Sequence, residues 1–385
     1  MLRNLTVSDL YHHITALRQR FGKSLLILGH HYQREEVIVH TDLQGDSFQL
    51  SAAAAENTDC ETIVFCGVHF MAETADILAN STENLTRRNG KRVNVLLPDL
   101  EAGCSMADMA TRQTVERCWN ELSEIIDIND AIPITYVNST AELKAFCGRH
   151  GGIACTSTNA QTVLGTALKQ KRRVLFFPDQ HLGRNTALKM GMEESAIVCW
   201  DDNAAGNVDA KWGGNSAEQI RNSRIILWNG YCCVHQKFLP DHIDAIRKAY
   251  AGIRVIVHPE CRRDVVEKAD ESGSTSYLLR RISESPAGSS WAVGTESRFV
   301  ERLARQNPDK IVVNLAAQTS YCGTMGLIDL PKLADVLDSV ELGQPKNVIR
   351  VEDAAAADAL LCLRRMLECR EVLCTSRFDK QYRQR

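Results

Sequence analysis

Residues 228–235 read Trp-Asn-Gly-Tyr-Cys-Cys-Val-His, which puts Cys232, Cys233 and His235 within four residues of one another. They follow the apolar run Arg224–Leu227, which reads as a buried strand. In an open α/β sheet, ligands sit outside the carboxyl ends of the strands. Soft thiolates at such a place suggest zinc or an iron–sulfur cluster. The competing reading is two ordinary buried thiols, since free cysteine is among the most buried residue types. Two other cysteines share the context: Cys104 follows Ala-Gly after an apolar run, and Cys322 precedes Gly-Thr-Met. Each sits beside a glycine, where backbone can approach a ligand closely. Three thiolates on a four-iron cluster would leave one iron without a protein ligand, the open position a Lewis acid requires.

Other reactive side chains fall at the ends of other apolar runs. These are His30, Tyr32, Asp46 and Ser47; then Tyr136, Asn138, Ser157 and Asn159; then His235, His258, Glu260, Ser274 and Thr275. Singly, each has a structural explanation: a lone histidine is usually a satisfied one, and Tyr136 could cap a strand. Together they lie on one end of the expected sheets. Glu260 stands two residues after His258, so both point to the same face of an extended segment. Its only evident structural partners in sequence are Arg262 and Arg263. Near an anionic substrate its pKa should rise, which suits a group that both takes and gives a proton.

The elements that must position these groups form a repeating layout. Helical spacing over 5–21 is followed by strand-like runs at 24–33, 62–73 and 92–104, separated by helical stretches. The pattern restarts at 131–140, 151–160 and 172–183, and again at 223–235, 253–265 and 290–296. Strands alternating with helices predict parallel sheets. The expected architecture is three three-stranded α/β units, covering 1–110, 111–222 and 223–345, with a C-terminal helix and tail over 346–385. A further strand is expected at 310–315, a helix at 330–340, an amphipathic helix at 352–369, a Gly/Asn/Asp-rich loop at 201–215, and a charged, frayed tail.

Composition excludes several classes. Lys plus Arg is 45 and Asp plus Glu is 48, so the basic excess of a nucleic-acid binder is missing. The N-terminus lacks a continuous apolar core, and no run is long enough to span a membrane, so a cytoplasmic chain is expected. Fourteen cysteines without a single C-x-x-C pair read as thiols rather than a disulfide framework or a zinc ribbon. No G-x-G-x-x-G fingerprint follows the strands, so no dinucleotide cofactor is expected. An iron–sulfur redox sensor or regulator is the alternative of a different class. It would use the same three cysteines but would not need the His-Tyr-Glu set.

The stretches HHYQ (30–33), GDS (45–47), FCGVHFMAETA (65–75), PDLEAGCSMA (98–107), YVNSTAELKA (136–145) and CTSTNA (155–160) occur in order. FPDQHLGRNTA (177–187), WNGYCCVHQKF (228–238), VHPEC (257–261), SGSTSY (272–277), VGTE (293–296) and CGTM (322–325) continue the series. In these stretches the chain resembles the quinolinate synthase family, from about residue 25 to 340. The resemblance implies three Rossmann-like three-layer α/β/α units around a pseudo-threefold axis with the active site at their junction. It implies a [4Fe-4S] cluster on Cys104, Cys232 and Cys322, and the condensation of iminoaspartate with dihydroxyacetone phosphate to quinolinate, a step of NAD biosynthesis. It further implies substrate binding by His30, Asp46, Ser47, Tyr136, Asn138, Ser157, His235, His258, Glu260 and Thr275, with proton transfer by Tyr32, Tyr136, His258 and Glu260. The partners it implies are L-aspartate oxidase and the iron–sulfur assembly machinery.

Overall fold

The computed structural model describes residues 6–202, 211–316 and 320–369. The apolar runs become short strands that are buried on both faces, as parallel sheets covered by helices require. In the first sheet β1 (Leu25–His30), β2 (Leu43–Gly45), β3 (Thr62–Cys66) and β4 (Asn94–Leu96) are parallel. The second sheet holds β5 (Ala131–Tyr136), β6 (Ile153–Cys155), β7 (Arg173–Phe177), β8 (Ile197–Trp200) and β9 (Ile225–Trp228), in the order β6-β5-β7-β9-β8. The third holds β10 (Arg254–Val257), β11 (Glu271–Ser272), β12 (Ser290–Gly294) and β13 (Ile311–Asn314), in the order β11-β10-β12-β13. A last strand, β14 (Val348–Ile349), returns to the first sheet and pairs antiparallel with β4. Three α/β units are therefore present, as expected.

One strand lies in a different unit from the one expected. The run at 223–235 was to open the third unit, but β9 inserts between β7 and β8 and belongs to the second sheet. The boundary at 222–223 thus cuts through the second sheet. Ile225, Ile226 and Leu227 are wholly buried, so their pattern marks a buried strand without marking which sheet it joins. The third sheet is completed instead by β13, the run expected at 310–315. The short strands β2, β8, β11 and β14 have no sequence counterpart above, because two to four residues carry too little pattern. Most of the loop at 201–215 (residues 203–210) and the charged tail lie outside the described residues.

Long-range packing ties the units together. The helix Asp353–Glu368 lies along the helix Ala141–Arg149 of the second unit. Gly148 permits the close approach: a Cβ there would stand 1.9 Å from the Asp358 carbonyl oxygen. The helix buries Leu363 and Met366 completely, each contributing roughly 1.5–3 kcal/mol. The helix Leu330–Glu341 packs on the helix Val7–Phe21 of the first unit. Between the first and third units, buried Arg302 donates to Glu35 at 2.9 Å and to the carbonyls of His31 and Gln33 at 2.7 and 2.8 Å.

Candidate metal centre and active site

The carboxyl ends of strands from all three sheets converge on one cavity. Each of the fourteen residues expected as metal ligands, binding groups or catalysts lines it: His30, Tyr32, Asp46, Ser47, Cys104, Tyr136, Asn138, Ser157, Cys232, His235, His258, Glu260, Thr275 and Cys322. Their convergence follows from the topology, since a parallel strand ending at the cavity leaves its next residues there.

The three cysteines arrive on differently built loops. Cys104 precedes the short helix Ser105–Asp108. Cys232 follows Gly230, whose main chain bridges Asp179; a Cβ at Gly230 would come within 2.3 Å of the Pro178 carbonyl oxygen, so only glycine fits. Cys322 is held by the third unit: its N–H donates to Glu296 at 3.1 Å, and its carbonyl accepts from Arg298 at 3.2 Å. Burial pushes the Cys104 thiol up to about 12 and the Cys232 thiol well above its usual value, and it raises Cys322 as well. The other thiols add to the shift at Cys104 and Cys232, which places the three within electrostatic reach of one another. A soft metal centre would displace those protons and bind thiolates. The donor set, three convergent thiols in one small cavity, fits an iron–sulfur cluster with one iron left open to substrate. The neighbouring Cys233 is exposed and does not line the cavity.

Beside the thiols stands an array of hydrogen-bonding groups. The Tyr32 hydroxyl is 2.8 Å from Thr295 Oγ1, which is 3.0 Å from His235 Nε2. On its other side, His235 Nδ1 lies 2.8 Å from Glu260 Oε2, off the line of a good hydrogen bond. The Tyr136 hydroxyl donates to Glu260 Oε1 at 2.5 Å. His235 and His258 stack with ring centroids 4.5 Å apart. Cys232, His235 and Glu260 also place donor atoms within 4.8 Å of one another, but His235 and Glu260 are already engaged by Thr295 and Tyr136.

Glu260 is held by groups that its sequence neighbourhood does not show. Arg262 pairs with Asp264 at 2.7 Å and Arg263 pairs with Glu267, so neither takes its charge. Its partners are His235, His258 and Tyr136, all remote in sequence or across a turn. Burial alone pushes its carboxyl up, but the two imidazoles and the Tyr136 hydroxyl outweigh this and hold it below the ordinary range. In the protein without substrate, Glu260 is therefore a carboxylate; the rise expected beside an anionic substrate belongs to the substrate complex. Burial, reinforced by the Glu260 charge, pushes the Tyr32 and Tyr136 phenols well above their usual value, so both are protonated.

His30 and His258 share one local device. In each, Nδ1 accepts the main-chain N–H two residues on, at 3.2 Å from Tyr32 and 3.4 Å from Glu260. Burial lowers both rings to about 3, so they are neutral and carry their proton on Nε2. For His258 that nitrogen is 3.3 Å from Ser157 Oγ. Asn138 Oδ1 is buried in the site without a partner, a polar group free for a ligand. Ser47 and Thr275 begin the helices Ser47–Glu56 and Thr275–Ser283, and both helix N-termini reach the cavity. Asp46 is more committed than expected. One oxygen caps Gln49 N at 2.9 Å, and the other accepts from Thr158 at 2.8 Å and Ser276 at 2.7 Å.

Sequence reasoning missed Thr295 and Glu296, which follow β12 in the VGTE stretch, and Asp179, buried beneath the Cys232 loop. Their strand-end positions were visible. Their partners were not, because Thr295, after β12 of the third unit, joins Tyr32 of the first to His235, which follows β9 of the second.

Fold and site define a class: a three-sheet α/β enzyme that presents three cysteines and a buried acid–base array to one cavity. A family model described as "Quinolinate synthetase A protein" matches residues 12–368. The quinolinate synthase of Rhodopirellula baltica is 53% identical over 365 residues, covering 95% of this chain and 92% of the relative. Those of Bacillus velezensis and Bacillus subtilis are 47% and 46% identical over 365 residues, each covering 95% of this chain and 94% of the relative. The chain belongs to the quinolinate synthase family. Among the described residues no helix is long and apolar enough to cross a membrane.

Proposed function

We propose that this chain condenses iminoaspartate with dihydroxyacetone phosphate to quinolinate, phosphate and two waters, using a [4Fe-4S] cluster held by Cys104, Cys232 and Cys322. Quinolinate synthase activity in NAD biosynthesis comes with family membership; the cluster ligands and the residue roles are inferred from the cavity. The observation that carries them is the meeting of three cysteines with the Tyr32–Thr295–His235–Glu260–Tyr136 array at one cavity.

When bound, the cluster supplies an open iron that polarises a carboxylate or a departing hydroxyl. The chain's own groups do the rest. The helix N-termini at Ser47 and Thr275 favour carboxylate and phosphate oxygens. The Asn138 amide and the Nε2–H groups of His30 and His258 orient them. As Tyr32 takes a proton from the substrate, its own passes through Thr295 to His235, and the Glu260 carboxylate stabilises the imidazolium that forms. Tyr136, hydrogen-bonded to Glu260, gives its proton to the departing hydroxyl and is reprotonated from that imidazolium through Glu260, which returns the array to its starting state. An L-aspartate oxidase supplies the iminoaspartate, the iron–sulfur assembly machinery supplies the cluster, and the setting is the cytoplasm. The test is an anaerobic assay with iron-loaded protein and the two substrates. Quinolinate and phosphate in equal amounts are expected; no quinolinate from fully loaded protein would overturn the reading.

A further inference from the structure

The active cavity is small and lined by deeply buried side chains. Its volume is about 70 Å³, against the 300–1,000 Å³ or so of ordinary small-molecule sites. His30, His258, Glu260 and Thr275 are all at least 95% buried. Beside it lies a second cavity of about 1010 Å³ between the three units. Ser157 lines both. The wall between them is made by three side chains, one from each unit: Asp46 lines the inner cavity, and Thr158 and Ser276 line the outer one. Both hydroxyls donate to a single oxygen of Asp46, at 2.8 and 2.7 Å.

The outer cavity also has a charge. Its acidic lining residues Asp270 and Glu271 are neutralised from behind, by Arg247 at 3.0 Å and Arg281 at 2.9 Å. Glu56 is not free either. Lys189 and Arg280 line the cavity too, and no carboxylate pairs with either among the described residues; Arg280 rests 5.8 Å from the Tyr277 ring. Both substrates of the reaction proposed above are dianions, one a dicarboxylate and the other a phosphate monoester.

We infer that the outer cavity is the entrance chamber, where Lys189 and Arg280 collect dianionic substrate, and that the Asp46–Thr158–Ser276 bridge is the inner door that parts to admit it. Two hydroxyl donors on one carboxylate oxygen form a junction that can break and re-form without exposing a buried unpaired charge, because water can replace each donor. The chamber raises the local substrate concentration, an effect that weakens as salt screens it.

The inference rests on the activity proposed above, and the experiment separates the two. The wild-type turnover at saturating substrate tests the activity alone. For the chamber, the double variant Lys189→Glu/Arg280→Glu is compared with wild type in kcat/KM for dihydroxyacetone phosphate at low and at 0.5 M salt. A loss of about tenfold in kcat/KM at low salt is expected, the lower bound for electrostatic steering. It should shrink at high salt, with kcat and iron content unchanged. Equal kcat/KM in the two proteins at low salt would remove the chamber. For the door, the rate at which a chelator extracts iron is measured without substrate. Ser276→Ala should speed it severalfold and Ser276→Thr should restore it. Equal rates in all three proteins would mean that the bridge does not control access.

Discussion

Glu260 shows how far a residue's role depends on what the fold brings to it. In sequence it has only His258 and two arginines for company. In the structure it is buried, holds His235 at 2.8 Å and Tyr136 at 2.5 Å, and is kept ionised by the imidazoles around it. Glu260→Gln preserves size and the capacity to accept from Tyr136, but it removes the charge that would stabilise protonated His235. Turnover should therefore fall by at least about a hundredfold, the lower bound for an acid–base group, with iron content and affinity for dihydroxyacetone phosphate nearly unchanged. Near-normal turnover, or lost affinity at unchanged turnover, would remove Glu260 from the proton path. Its position was legible in sequence because a residue after a strand in a parallel sheet must face the ligand end. Thr295 was not legible as a relay, since its two partners come from elements far away in the chain. Asp46 was legible as a site residue, but its carboxylate is engaged by two other units, which no local pattern records.

The cysteines belong to the scale of elements, because each is fixed by what its own loop is tied to. Cys232 depends on Gly230 and the bridge to Asp179, Cys322 on Glu296 and Arg298, and Cys104 on the turn into a short helix. Replacing any one of the three by Ala should lower iron per chain after anaerobic reconstitution, whereas Cys233→Ala and changes at the remaining cysteines should leave it intact. Full iron retention in one of the three variants would exclude that residue as a ligand. The strand before Cys232 carries the instructive error. Its apolar run correctly predicted β9 and the exposed chemistry after it, yet placed it in the wrong sheet. Sheet membership is decided by which edge remains open when the strand arrives, and β9 fills the gap between β7 and β8. The cysteine reaches the cavity in either case, because every unit turns the same ends of its strands toward the centre.

At the scale of the whole molecule, each sheet has its own buried core, and that of the second extends to the C-terminal helix. Cys104, Cys232 and Cys322 are packed at the margins of these cores, partly buried, and not inside any one of them. Removing the cluster should therefore abolish activity while leaving the far-ultraviolet circular dichroism nearly unchanged; a large loss of helical signal would mean that the metal organises the fold. The three-unit layout was legible because alternating strands and helices repeat three times, while the closing contacts were not. Those contacts have a consequence for how the protein is made. The edge of the first sheet is capped by Val348–Ile349, and the second unit is covered by Asp353–Glu368. Roughly 250 residues separate β4 from the strand that covers it, so at about 5–20 residues per second the ribosome leaves that edge open for on the order of tens of seconds. An open strand edge invites pairing with other chains. The nascent chain thus cannot finish its first unit as it emerges, and its exposure to aggregation in the cell lasts until Val348–Ile349 and the helix Asp353–Glu368 have been synthesised.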